Sequence, residues 1–382
     1  MKSFYWELYF HLKTLNLFGL MNGKYCRCDG KAKLIFEKHH KMKAFATLVI
    51  VYIFAIIMSI CGIVFGGEVH FDDFNRTGDT IFIVHFECSC LVMLFLYGYC
   101  YWSHEKNILF LQKILRYRHE CEGFVSPDIH LCGLYGVYFV ICLLSSLIYF
   151  LIFLSAELPL FSTIAYTIVY ISMLWISGIV IVMYLSVALL VGNSLKFLNM
   201  QLSRQDLQLG DLKGLLVKRQ HLLTLCYVDI NRHYGAMLLS IVAFVAIIAP
   251  SGPFYVITQI VKGPTEESTI LTVTISGFVS LVWNLPWIAI FFAIAACGGV
   301  TTEANQSIRI LFRTHFGDPK TYKVIDRFLW LNLRSKPVLN AWGFFALSRS
   351  SVFKCLTFIM NFIIILVQFM DLENRISINH NL

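Results

Sequence analysis

Charge is what this sequence is short of. Only 14% of its 382 residues are Asp, Glu, Lys or Arg, where a soluble domain carries roughly 25%. With so few charges a chain cannot clothe a water-facing surface, so a soluble enzyme is excluded as the whole of it. The basic residues form no single block of the kind that binds nucleic acid, despite a net charge of +8. The first 20 residues lack the uninterrupted apolar core of a cleavable signal peptide, because Glu7, His11 and Lys13 interrupt Phe4, Tyr5, Trp6, Phe10, Leu15 and Phe18. They read as a short amphipathic helix on or beside a membrane. A disulfide framework is missing as well: Cys61, Cys88, Cys90, Cys100, Cys132, Cys142, Cys297 and Cys355 sit inside or beside apolar stretches, not in exposed loops. Cys26 and Cys28 lie near His39 and His40 but have no second pair, so no metal and no cofactor is expected.

What is abundant is apolar length. Hydrophobic residues make up 58% of the chain and the mean hydropathy is +0.69. A helix needs about 20 apolar residues to cross the hydrocarbon. Seven stretches qualify, approximately 44–65, 79–101, 131–154, 161–191, 236–261, 270–298 and 352–370. The expected fold is therefore an all-α membrane protein of seven transmembrane helices. The fourth stretch is long for a bilayer and is expected to tilt or project.

Lysine and arginine orient the bundle. All but four of the 31 fall in the amino-terminal 43 residues or in the second, fourth and sixth loops. The exceptions are Arg76, Lys262 and Arg375 on the other side and Lys354 in the last span. By the positive-inside rule the amino terminus is cytosolic and the carboxyl terminus external. The external sequon Asn75-Arg76-Thr77 agrees with that orientation. The expected organisation is a cytosolic segment 1–43, a six-span bundle 44–298 including a cytosolic helical loop 192–235, a cytosolic anchor segment 299–351, a last span 352–371 and an external tail 372–382.

Two loops carry helical signals. Leu212, Leu215, Leu216, Leu222, Leu223 and Cys226 recur at helical spacing among Lys213, Lys218, Arg219 and Arg232, which predicts an amphipathic helix running into the fifth span. Ile308, Leu311 and Phe312, then Phe328, Leu329 and Leu331, repeat the theme. Apolar faces in the cytosol must pack on something, so a cytosolic helical module is expected.

The last span carries the most chemistry. Lys354, Thr357, Asn361, Gln368 and Asp371 fall on one stripe of an otherwise apolar helix. Polar groups at membrane depth are costly and face a bundle interior or an aqueous path. A helix-to-helix seam also accommodates them, but a continuous stripe with an acidic end fits a pore wall better.

At this helix the sequence resembles the insect gustatory receptors, within the gustatory and odorant receptor superfamily. Their signature is Thr-Tyr, five hydrophobic residues, then Gln-Phe. Here Asn361-Phe362, Ile363, Ile364, Ile365, Leu366, Val367 and Gln368-Phe369 follow that spacing, with Asn-Phe replacing Thr-Tyr. Upstream, Gly343-Phe344-Phe345 resembles the family's Gly-Phe-Phe segment, with Ser348 where an acidic residue is more usual. The resemblance implies a ligand-gated, non-selective cation channel of four subunits, with the last helix of each lining a central pore and the cytosolic helix ends anchoring the subunits. It implies a small-molecule tastant, homomeric or heteromeric partners from the same family, surrounding lipid, and a multi-pass location in the plasma membrane of sensory dendrites. It places the pore constriction at Gln368 and Phe369. The stripe adds Thr357, Asn361, Ile365 and Asp371 along the same wall.

The resemblance also implies a tastant pocket in the outer halves of the second to sixth spans. The candidates there are His85, Glu87, Tyr149, Tyr166, Tyr170, Tyr255, Gln259 and Trp283, with Ser145 and Trp287 nearby. Aromatic faces with a few polar groups suit a small organic ligand, although tyrosine and tryptophan also collect at bilayer interfaces. Pro250, Pro253 and Pro286 are expected to kink their helices.

Other classes fit less well. Asp326-Arg327-Phe328 resembles the Asp-Arg-Tyr triplet of metabotropic seven-helix receptors, but it lies in the sixth loop and that class needs an external amino terminus. An enzyme is not expected, since no intramembrane His, Asp and Cys cluster has suitable spacing and no Gly-rich phosphate loop is present. A transporter would carry broken helices in matching halves, and none is evident.

Overall fold

The structure is a computed structural model. It describes residues 13–20, 24–28, 31–35, 38–65, 76–120, 131–155, 160–204, 208–261, 269–313, 319–334 and 338–380. The remainder of the predicted amino-terminal helix, Met1 among it, lies outside the described residues. Lys13 to Leu17 are helical, and this piece packs on the bundle: Leu15 and Leu20 are buried, and Phe18 stacks on Trp175 at 6.1 Å.

A short antiparallel hairpin, β1 (Lys24–Cys28) and β2 (Lys31–Ile35), follows. The sequence reading did not anticipate it. Then come α1 (Lys38–Phe65), α2 (Arg76–Trp102), α3 (His104–Glu120), α4 (Leu131–Ser155), α5 (Leu160–Leu202) and α6 (Leu209–Thr224). A π-helical segment, Leu225–Ile230, joins α6 to α7 (Asn231–Ile248). The chain continues through α8 (Ser251–Val261), α9 (Thr269–Arg313), α10 (Pro319–Arg334), the two-residue strands β3 (Asn340–Ala341) and β4 (Phe345–Ala346), and α11 (Arg349–His380).

Among the described residues six helical runs are long and apolar enough to cross a membrane, and the shorter apolar stretch Gly136–Ile148 lies in α4, which has 25 residues. This matches the seven expected spans, with an interruption at one of the expected prolines and a last helix longer than expected. The fifth span is broken at Ala249 and Pro250 into α7 and α8, because proline lacks the N–H that would continue the ladder. Pro286, in contrast, stays inside α9. The last helix does not stop at residue 371 but runs to His380.

Helix α5 is the central post. It packs against α9, α4, α2 and α7, and Val169, Met173, Tyr184, Ala188, Leu195 and Leu202 along it are buried. Its 43 residues span about 65 Å at 1.5 Å per residue, against roughly 30 Å of hydrocarbon. Helix α9, with 45 residues, is as long. The excess of both builds a second, cytosolic layer with α6 and α10, whose core includes Leu198, Leu202, Leu212, Leu216, Leu222, Leu311, Ile325 and Phe328. The expected cytosolic module is therefore made largely from extensions of the spans.

Arg219 is placed differently from the sequence reading, which put it on the polar side of α6. It is 0% exposed. Its Nη2 donates to the Ala304 carbonyl at 2.6 Å, and its guanidinium lies 4.6 Å from the centre of the Phe328 ring. Beside it Asn199 donates to the Glu303 carbonyl at 2.9 Å and accepts from Ser307. Segments of four helices, α5, α6, α9 and α10, are thus fastened at one point. At the rim, the Lys41 ammonium donates to Glu105 at 3.0 Å and holds that carboxyl below its ordinary value; both side chains are more than half exposed, so the pair adds little stability.

Close approach of α4 to α5 depends on Gly178. A Cβ there would sit 1.7 Å from Tyr138 Cε1, whose hydroxyl donates to the Leu174 carbonyl at 3.1 Å. Gly178→Ala is expected to destabilise the fold by about 1–3 kcal/mol. The measurement is the melting temperature of detergent-solubilised protein, and the loss shrinks when Tyr138→Ala is combined with it, because the two positions share one space.

Candidate functional site

Helix α11 leans on the bundle along one narrow ridge. Ile359, Ile363, Leu366 and Met370 are buried against α8, α9, α2 and α7, and Thr258 of α8 touches the Met370 sulfur at 3.6 Å. The polar residues Lys354, Thr357, Asn361, Gln368 and Asp371 are all exposed. At 100° per residue their mean direction is roughly 165° from the buried ridge. The stripe therefore points away from the chain's own bundle. A seam within this bundle is ruled out for these side chains.

The members of the stripe differ in how they are satisfied. Thr357 donates to the Phe353 carbonyl at 2.9 Å, a back-bond that keeps its hydroxyl within its own helix. Asn361 and Gln368 have no side-chain hydrogen-bond partner among the described residues. Asp371 pairs with Arg375 at 2.9 Å one turn on. Ile365 and Phe369 are exposed, at 45% and 57%, but sit on the flank: Ile365 is about 65° and Phe369 about 105° from the stripe centre. Ile364 is closer to the stripe than either and was not singled out by the motif. Glu373, two residues beyond Asp371, turns toward the bundle and accepts from the Thr77 hydroxyl at 2.8 Å, tying α11 to the start of α2.

Among the described residues, the outer aromatic and polar candidates turn to several different neighbours. His85 and Glu87 point to different neighbours. His85 is buried and its Nε2 lies 3.2 Å from the Ile247 carbonyl, to which it donates beside the Pro250 break. Glu87 accepts from the Ser59 hydroxyl of α1, and its second oxygen is buried without a partner among the described residues. Tyr166 and Tyr170 are buried around Phe86, with ring centres 4.7 Å and 6.5 Å away. Trp287 is buried against Phe244 at 5.6 Å, and Ser145 is buried too. Tyr255 is half-buried. The side chains of Tyr149, Gln259 and Trp283 lie outside the described residues. Packing thus accounts for most of the candidates the structure describes, as bulky side chains in a bundle interior would suggest.

A long central helix, a broken fifth span and a terminal helix with its polar side turned outward define a multi-pass helical membrane protein. The chain belongs to the 7tm chemosensory receptor family, whose profile matches residues 8–373, and within it to the insect gustatory receptors. It is 32% identical over 308 residues to gustatory and pheromone receptor 39a, isoform A, of Drosophila melanogaster, covering 80% of both chains. Isoform D of the same receptor is 26% identical over 303 residues, 78% of this chain and 79% of its own. Among solved structures the fold is similar to the insect olfactory receptor OR5 from Machilis hrabei, with a TM-score of 0.67 at 9% identity over 95% of this chain and 97% of that one. OR5 in complex with eugenol superposes with a TM-score of 0.64.

Proposed function

We propose that this gustatory receptor is a tastant-gated, non-selective cation channel in which α11 of each of four subunits lines a central pore. The single observation behind this reading is that Asn361, Gln368 and Asp371 face away from their own bundle. In lipid, unpartnered amides at that depth are costly. A ring of copies around an axis turns the same side chains onto water.

In this arrangement Gln368 offers uncharged polar groups to the ion, with Thr357 and Asn361 along the same wall. Ile365 and Phe369, on the flank of the stripe, supply the apolar constriction as neighbouring helices close. Asp371 stands at the outer mouth, where acidic groups raise the local cation concentration. Residues 44–298 carry the ligand-binding bundle and residues 299–351, with loop 192–235, the anchor between subunits. The ligand is a small organic tastant, a reading supported by the fold shared with the eugenol-bound olfactory receptor, with Glu87 and Tyr255 its nearest candidate contacts. The location is the plasma membrane of sensory dendrites, with gustatory subunits of the same or another type as partners.

The test is current recording from cells expressing the chain, against a tastant panel. Tastant-evoked current that does not separate Na⁺ from K⁺ is expected, and Gln368→Ala is expected to change conductance, selectivity or gating by twofold or more, roughly. A robust evoked current that this change leaves untouched in all three sinks the pore assignment.

A further inference from the structure

The connection into α11 is short, strained and held from one side by the fifth span. Asn231 is the first residue of α7, directly after the π-helical segment Leu225–Ile230. It is buried, and its carboxamide is fully used. Nδ2 donates to the Tyr227 carbonyl at 2.9 Å and to the Val338 carbonyl at 3.1 Å, while Oδ1 accepts the Asn340 N–H at 3.0 Å. Binding a carbonyl and the N–H two residues later is what a neighbouring strand does. The side chain of Asn231 therefore serves β3 as a strand edge.

One turn further along α7, Gly235 lies on the same face. A Cβ at Gly235 would stand 2.6 Å from the Trp342 nitrogen and 3.1 Å from its Cα, so the hairpin backbone lies directly on the helix. Trp342 and Gly343 turn the chain with φ of 51° and 81°, values uncommon for a bulky residue such as Trp342. The Asn340 Oδ1 accepts the Gly343 N–H at 2.8 Å and steadies that turn. From there the Leu347 N–H reaches the Leu339 carbonyl at 2.8 Å, and Ser351, in the first turn of α11, donates to the Ala346 carbonyl. A continuous set of hydrogen bonds runs from α7 through residues 338–347 into α11.

The same span also meets α11 at its far end, where Phe254 and Thr258 of α8 contact Leu366 and Met370. π-Helical turns are uncommon and recur at functional sites, where a helix changes register. A register change at residues 225–230 turns Asn231 and Gly235, and the hairpin between them and α11 has nowhere to go but with them. We infer that Asn231, with Gly235, is a positioning residue for the terminal helix, through which movement of the fifth span reaches α11. The inference rests on α11 being the pore wall; the clasp itself does not.

The test uses the full chain in lipid nanodiscs and hydrogen–deuterium exchange read by mass spectrometry, with Asn231→Ala and Gly235→Ala. The Asn340 amide loses its acceptor in Asn231→Ala, so exchange over 338–347 is expected to rise about tenfold. Exchange over the first two turns of α11 rises with it, while α1 stays as in the wild type. A rise confined to 338–347 overturns the inference. If exchange rises everywhere, the fold is lost and Gly235→Ala decides: it keeps the amide bonds but displaces the hairpin, and an unchanged α11 then overturns the inference. In excised patches with symmetrical Cs⁺, both variants are expected to shift open probability at least threefold, roughly, at unchanged single-channel conductance. Altered exchange with wild-type open probability overturns the gating role. A wild-type chain that passes no current under any tastant fails the channel reading and leaves the exchange result standing.

Discussion

Gln368→Lys is expected to reduce tastant-evoked cation current about thirtyfold or more at equal surface expression. An ammonium roughly 8 Å from a passing cation, at an effective dielectric near 20, opposes it by about 2 kcal/mol, which alone lowers occupancy about thirtyfold. Four copies around one axis multiply the effect. Gln368→Glu places an ion of similar burial and opposite sign at the same point and is expected to keep or raise the current. That contrast separates a pore effect from misfolding, because both ions cost about the same to hold in the membrane. Asn361→Lys, seven residues deeper on the same stripe, is expected to act in the same direction. Patch recording normalised to a surface label checks all three. If the Lys and Glu variants at 368 behave alike, the side chain does not face an ion path.

The second large effect belongs to the cytosolic layer. Arg219→Ala is expected to lower the melting temperature of the solubilised protein by roughly 3–5 °C, from a loss of about 3 kcal/mol. The change empties the space beside the Phe328 ring and leaves the Ala304 carbonyl without its 2.6 Å donor. Arg219→Met fills most of that space and removes only the charge and the hydrogen bond. It is expected to cost no more than a third of the alanine loss, since a buried ion replaced by an apolar side chain of similar volume is often nearly neutral. Equal losses for Ala and Met would mean that the charge and its hydrogen bond, and not the packing, hold α6, α9 and α10 together.

The spans were legible because each is a long apolar run, and the last helix was legible as a stripe because a 3.6-residue period is visible in one segment alone. The break in the fifth span could be read from Pro250. The first hairpin at 24–35 was legible and was missed: Asp29-Gly30 separates Lys24–Cys28 from Lys31–Ile35 in the sequence, and Asp-Gly between two such runs is a strong hairpin signal. Ile364 was passed over in favour of Phe369 because the motif names Gln-Phe, whereas helix geometry puts Ile364 nearer the stripe. The different partners of the outer polar candidates follow from helix geometry. His85 and Glu87 are two residues apart, and two residues turn a helix by roughly 200°, so one bonds to α7 and the other to α1.

Arg219 and Asn231 carry the same lesson from opposite directions. Each is a polar residue in an amphipathic stretch, and by pattern each belongs at a surface. Arg219 is buried because the extensions of α9 and α10 bring a carbonyl and an aromatic ring over it. Asn231 is buried because residues 338–340, more than a hundred positions away, supply its partners.

By itself the sequence determined that this chain crosses a membrane several times, which side of it carries the basic loops, and that its last helix has one polar side. These are properties of single segments and their exchange with lipid, water and surface charge. Only the tertiary structure decided which way that polar side points, which charged and amide groups are buried, and how the fifth span is joined to the terminal helix. Those depend on contacts between segments far apart in the chain, and a polar side chain at depth is stable only where a distant backbone or another copy completes its hydrogen bonds.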